Sequence, residues 1–154
     1  MTGQLTTASD AAAYITAGKA TVTLVSKKTG TRFTYEIKHG SQRTDAGGFK
    51  MDTSTPLFVK VLAGPQNTDD YMYLGFIPNN NHGTLVAGRK GRPDAPSFKA
   101  LSWVLQALER DLLPEQLEVW HEGACGRCGR KLTVPKSIEN GIGPECARKV
   151  HTHI

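Results

Sequence analysis

Alternation of apolar and polar positions is the clearest pattern along the chain. In KATVTLVSKKTGTRFTYEIK (19–38), Val22 and Leu24 share one face; after Lys28-Thr29-Gly30, Phe33, Tyr35 and Ile37 form another, interleaved with Arg32, Thr34, Glu36 and Lys38. Period-two alternation on both sides of a glycine-containing turn predicts a β-hairpin. PLFVKVLA (56–63) and DYMYLGFI (70–77) predict two more strands, the second apolar on both faces and so central, and GTLVAG (83–88) a short fifth. Tyr35, Tyr71 and Tyr73 fall on apolar strand faces and are expected in the core. Between His39 and Thr55 the pattern dissolves into glycine, serine and charge, which predicts a long loop with Phe49 as its exposed ring.

The period changes near residue 96. Phe98, Leu101, Leu105, Leu108 and Leu112 recur at three- and four-residue spacing, predicting a long helix from Pro96 to Leu112, capped by Asp94 or Ser97 and closed before Pro114. SDAAAYITAG (9–18) predicts a short helix capped by Ser9 and ended by Gly18. The expected fold is α+β: an antiparallel sheet of four to five strands packed on one long helix, with a C-terminal treble-clef-like zinc module. The expected division is 1–115 for the α+β domain and 116–154 for the zinc module, with Trp103 and Trp120 packed between the two.

Composition narrows the class. The chain has 154 residues, 38% of them hydrophobic and 21% charged, which describes an ordinary globular protein with enough chain for a real core. No apolar run approaches a membrane span, and MTGQLTTASD lacks the basic and apolar regions of a signal peptide, so a cytoplasmic protein without membrane contact is expected. A net charge of +5 favours acidic partners, of which nucleic acid is the commonest inside a cell.

All three cysteines lie in the last thirty residues. Cys125 and Cys128 have the C-x2-C spacing of a zinc knuckle, whose tight turn brings two thiolates to one ion while Gly126 and Gly129 relieve its crowding. Cys146 follows in GIGPECARKV, where Pro144 suits the first turn of a helix whose dipole favours a thiolate. A structural Zn2+ site needs a fourth ligand. His121, just before the knuckle, is favoured over His151, with His153 third.

The segment HEGACGRCGRKLTVPKSIENGIGPECARK (121–149) resembles an uncharacterised small zinc-binding family of bacteriophage and actinobacterial genomes. Its pattern, CGRCGR-x-LT-x-P-x-SI followed by GIGP-x-CA, matches Cys125 to Ala147 nearly throughout. The resemblance implies a zinc-stabilised C-terminal module in a phage-type protein and supports His121 as a ligand. It implies no activity.

Arg127, Arg130 and Lys131 on the knuckle, and Arg89, Lys90 and Arg92 before the long helix, are the candidate phosphate contacts. The expected function is a zinc-stabilised nucleic-acid-binding accessory protein that grips the phosphate backbone, DNA ahead of RNA. The alternative is a protein-binding adaptor or inhibitor, for example a phage antagonist of a host defence system, with zinc only as a staple. No catalytic constellation is expected. H-E-x-x-H is unmet, no nucleotide-binding glycine loop is present, and Glu122 would serve as a base only beside an open zinc position.

Overall fold

The computed structural model describes residues 3–63, 70–89, 92–123, 125–126 and 141–142. Its centre is one curled antiparallel sheet of seven strands in the order β1-β7-β2-β3-β4-β5-β6. In chain order the elements are β1 (Gly3–Leu5), α1 (Ala8–Ile15), β2 (Lys19–Ser26), β3 (Arg32–Arg43), β4 (Phe49–Leu62), β5 (Tyr71–Ile77), β6 (Val86–Ala87), α2 (Pro96–Glu109) and β7 (Leu117–His121).

The expected sheet of four to five strands on one long helix is therefore corrected to a mostly β architecture with two short helices. Three features account for the difference. β1 has three residues, too few to display a period. β7 lies far along the chain from its neighbours, yet inserts between β1 and β2, pairing Leu5 with Val119 and Val22 with His121. The stretch 39–55, expected as a loop, continues β3 and β4 as a two-stranded ribbon. There Gly40 pairs with Asp52 and Arg43 with Phe49 beyond a bulge at His39/Gly40. Mostly exposed, with Met51 turned in against Gly18, that ribbon needs no hydrophobic alternation to be a strand pair.

The β2–β3 hairpin forms as its alternation predicts, with Val22 opposite Tyr35 and Leu24 opposite Phe33. Both helices pack on one face of the sheet, where Val22, Tyr35, Ile37, Leu57, Val59 and Val119 meet Tyr14, Ile15, Leu101, Val104 and Leu105 in one core. Tyr35 is fully buried there, and its hydroxyl donates to the Ser97 carbonyl at 2.6 Å, tying the start of α2 to β3. α1 is capped by Thr7 rather than Ser9; the Thr7 hydroxyl accepts the Asp10 amide at 3.1 Å. α2 starts on Pro96 after Ala95 with no side-chain cap, and ends at Glu109, before the expected Leu112. Leu112 is accordingly exposed, as is Trp103, so the latter does not join two parts of the molecule. No helix among the described residues is long and apolar enough to cross a membrane.

Candidate functional site

β7 delivers the chain to the cysteine-rich tail. Its alternation sends Leu117, Val119 and His121 to the helix-bearing face, and His121 ends fully buried with its ring 5.6 Å from that of Tyr14. Gly123, at φ 86°, turns the backbone so that its N–H donates to His121 Nδ1 at 2.9 Å. Cys125 is also fully buried. The Gly126 carbonyl then accepts the Lys19 amide at 2.6 Å, and the Gly126 amide donates to the Gly141 carbonyl at 2.8 Å. Two points of the tail are thus fastened to the start of β2.

The fastening explains two glycines of the motif. A Cβ on Gly126 or on Gly141 would stand 2.6 Å from the Tyr14 ring, and Gly141 has a φ of 78° besides. Gly126 is there for close approach to a ring, a requirement its place in a knuckle does not reveal. Tyr14 in turn completes the sheet. Where β7 leaves β2 beyond the Val22–His121 pair, the Tyr14 hydroxyl donates to the Thr21 carbonyl at 2.8 Å and accepts the Thr21 amide at 3.1 Å. Burial pushes its pKa up to about 12, against the lowering effect of the Thr21 backbone bond.

Of the four expected metal donors, His121 and Cys125 are described; Cys128, Cys146 and the alternative His151 lie outside the described residues. No group of three potential donors occurs among the described residues. The two that are described fit a structural zinc site chemically: an imidazole and a thiol, both fully buried at one end of β7, both close to Tyr14, whose hydroxyl feels the Cys125 charge. The hydrogen bond sets a condition on ligation. An Nδ1 that accepts the Gly123 N–H leaves the imidazole proton on Nε2, and coordination through either nitrogen breaks that arrangement. Glu122 borders this cluster, since its charge and its backbone both act on the Tyr14 hydroxyl. It follows His121 onto the opposite face, where its carboxylate accepts the Thr23 hydroxyl at 3.2 Å.

Among the described residues, no helix packs on that opposite face. Strand register lays out its rows: Lys19, Lys38, Phe58 and Phe76 from β2 to β5, and beside them Thr21, Glu36, Lys60 and Tyr73. Tyr71 of β5 and Glu122 beyond β7 line one hollow of about 630 Å³ although β2, β3 and β4 lie between them, so the sheet curls toward this face. A hollow of about 470 Å³ adjoins it, walled by Glu36, Lys38, His39, Phe58, Lys60 and Tyr73. Phe58 and Tyr73 are 37% and 43% exposed, with ring centroids 6.4 Å apart at 49°. Lys38 holds Glu36 at 2.9 Å.

Tyr73 is therefore not a core residue as expected, and Phe58 was not singled out at all. DYMYLGFI is apolar on both faces, which reads as burial on both; only one face is covered by helices. A signal was present in PLFVKVLA, where Phe58 shares its face with Lys60, a residue that must reach water. Among the expected phosphate contacts, Arg89 and Arg92 are described and exposed. Arg127, Arg130, Lys131 and Lys90 lie outside the described residues. Arg89 follows β6 at one edge of the sheet, whereas Gly126, the residue before Arg127, is fastened to β2 toward the other. Phe49, at the end of the β3–β4 ribbon, is 71% exposed, as expected.

A model of a family of unknown function, DUF6011, matches residues 117–151. No curated protein matches the chain. No solved structure matches it.

Proposed function

We propose that this chain is a nucleic-acid-binding accessory protein of phage type whose tail is stapled by zinc and contacts the phosphate backbone. Cys125, Cys128 and Cys146, with His121 as fourth ligand, would hold the ion, which supplies a rigid tetrahedral crosslink and no reaction. Arg127, Arg130 and Lys131, with Arg89, Lys90 and Arg92, would grip phosphates. The observation that carries this reading is the clamping of Gly126 and Gly141 onto Tyr14 and the Lys19 amide. Cationic side chains that follow an anchored turn lose little entropy on meeting a phosphate. A net charge of +5 supports the same class of partner.

Salt titration of binding to single- and double-stranded DNA and RNA is the direct test. Affinity should fall steeply with salt, and Arg127→Ala with Arg130→Ala should weaken all sequences alike while flattening the salt slope. Absence of binding at about 50 mM salt rejects the reading.

One observation favours a second reading, a protein-binding adaptor or inhibitor such as an antagonist of a host defence system. The β3–β4 ribbon presents Phe49 to solvent, and an exposed aromatic ring is a common interface anchor. Partner capture that depends on Phe49 and is insensitive to Arg127 and Arg130 would support it.

A further inference from the structure

We infer that the helix-free face of the sheet holds unpaired nucleotides, with bases stacked on Phe58 and Tyr73 and phosphates on Lys19, Lys38 and Lys60. This rests on the nucleic-acid reading above and adds to it a substrate class, the single strand, and a site that the basic tail does not contain.

Four observations converge on it. First, two aromatic rings on neighbouring strands are each more than a third exposed and lie 6.4 Å apart, on the face where none of the described helices packs. Tilted rings spaced in this way each offer a π-face to a flat ligand. Second, the hollow beside them, about 470 Å³, falls in the range of small-ligand sites and has room for an unstacked base. Third, the surrounding charge suits a strand. Lys19 and Lys38 stand directly opposite each other on β2 and β3, a concentration of positive charge that Glu36 offsets only in part by pairing with Lys38. Lys60 stands on β4 opposite Tyr73. Glu36, fixed by Lys38 at 2.9 Å, is an acceptor for the amino and imino protons on a base edge. Duplex pairing occupies the imino proton and one of the two amino protons, leaving only the other amino proton in a groove.

Fourth, the face lies between Arg89 and the point at which the tail is anchored. The Lys19 backbone holds Gly126, which immediately precedes Arg127. At the far side the ring of Tyr73 packs against Gly88, where a Cβ would collide with it, and Arg89 follows. A strand that crosses from β2 to β6 meets Lys19 and Lys38, then Phe58 and Lys60, both on β4, then Tyr73, and then Arg89 beyond β6.

The test uses fluorescence anisotropy of the full chain with an oligothymidine of about ten nucleotides, and with a hairpin duplex of the same length. Wild type should prefer the single strand. Phe58→Ala with Tyr73→Ala should weaken the single strand by about tenfold or more per ring and leave the duplex unchanged, whereas Arg127→Ala with Arg130→Ala weakens both. Because Tyr73 supports Gly88, Phe58→Leu with Tyr73→Leu keeps the packing volume while removing the π-faces, and should show the same selective loss. Photocrosslinking of a bromouracil-substituted strand to the wild type should label Phe58 or Tyr73. Equal loss for both ligands, or crosslinks confined to other segments, overturns the platform while leaving the nucleic-acid reading intact. Binding to neither ligand overturns both.

Discussion

Tyr14 organises the junction on which the tail depends, and single substitutions around it should separate packing from metal binding. Gly126→Ala places a methyl group 2.6 Å from the Tyr14 ring and 3.1 Å from its carbonyl oxygen. Overpacking of this kind should cost roughly 1–3 kcal/mol in chemical denaturation. His121→Ala tests something else. If His121 is a ligand, the variant loses stoichiometric zinc by metal analysis. The Gly123 amide, which donates to Nδ1 in the described arrangement, should also exchange faster in zinc-loaded wild type than in apo protein. Full zinc retention in His121→Ala would move the fourth ligand elsewhere, to His151 first. Alkali probes the same residue through its hydroxyl. Tyr14 is raised from 10.0 to about 12 by burial, so the fold prefers the neutral phenol. Its contribution is complete below pH 10 and drains away as pH climbs toward 12. A raised Tyr35 acts in the same direction, also through burial. Denaturation midpoints should therefore fall between pH 10 and 12, and Tyr14→Phe should make that fall shallower. A pH dependence unchanged in the variant would place the titrating group elsewhere.

At the level of elements, the weakest join lies at β6, two residues long and paired only with β5. Gly75 allows this pairing, because a Cβ there would press into the Val86 carbonyl. Gly75→Ala should detach β6, seen as faster amide exchange at Val86 and Ala87, with a small change in global midpoint. Single-strand affinity should drop although every charge is retained, since Arg89 loses its mooring beside Tyr73. The same contrast explains what sequence could convey about the elements. The β2–β3 hairpin and α2 were legible because each buries one face against the same core, and burial writes a period of two or of 3.6 residues. The ribbon of residues 40–43 and 49–55 was not: it stands clear of the helices, so neither of its faces selects apolar residues. β7 was hidden for another reason. LEVWH does alternate, but its partners are residues 3–5 and 22–26, a pairing that no local pattern specifies. The tail motif announced its donor types plainly through Cys125 and His121. The companion platform stayed silent, because Phe58 and Tyr73 look like core until the absence of a helix above them is known.

For the molecule as a whole, the question is whether one strand engages both basic groups at once. From β2 to β6 the sheet takes four inter-strand steps of about 4.8 Å, so the path along its surface is about 19 Å and the chord across the curled face is shorter. An oligonucleotide too short for that span can touch the tail side or the Arg89 side, not both. One long enough gains the second contact intramolecularly, at a high effective concentration. Single-strand affinity should therefore rise with length, jump once the span is covered, and then level off. Arg89→Ala with Arg92→Ala should abolish the jump while leaving the affinity of the shortest strands nearly unchanged. Arg127→Ala with Arg130→Ala should abolish it too, because either end alone converts a bridge into a single foothold. On strands beyond the threshold the two pairs should be coupled, each costing more alone than it does once the other is gone. Simple additivity at every length, with no threshold, would mean that the two edges bind separate molecules, and that the face between them serves neither.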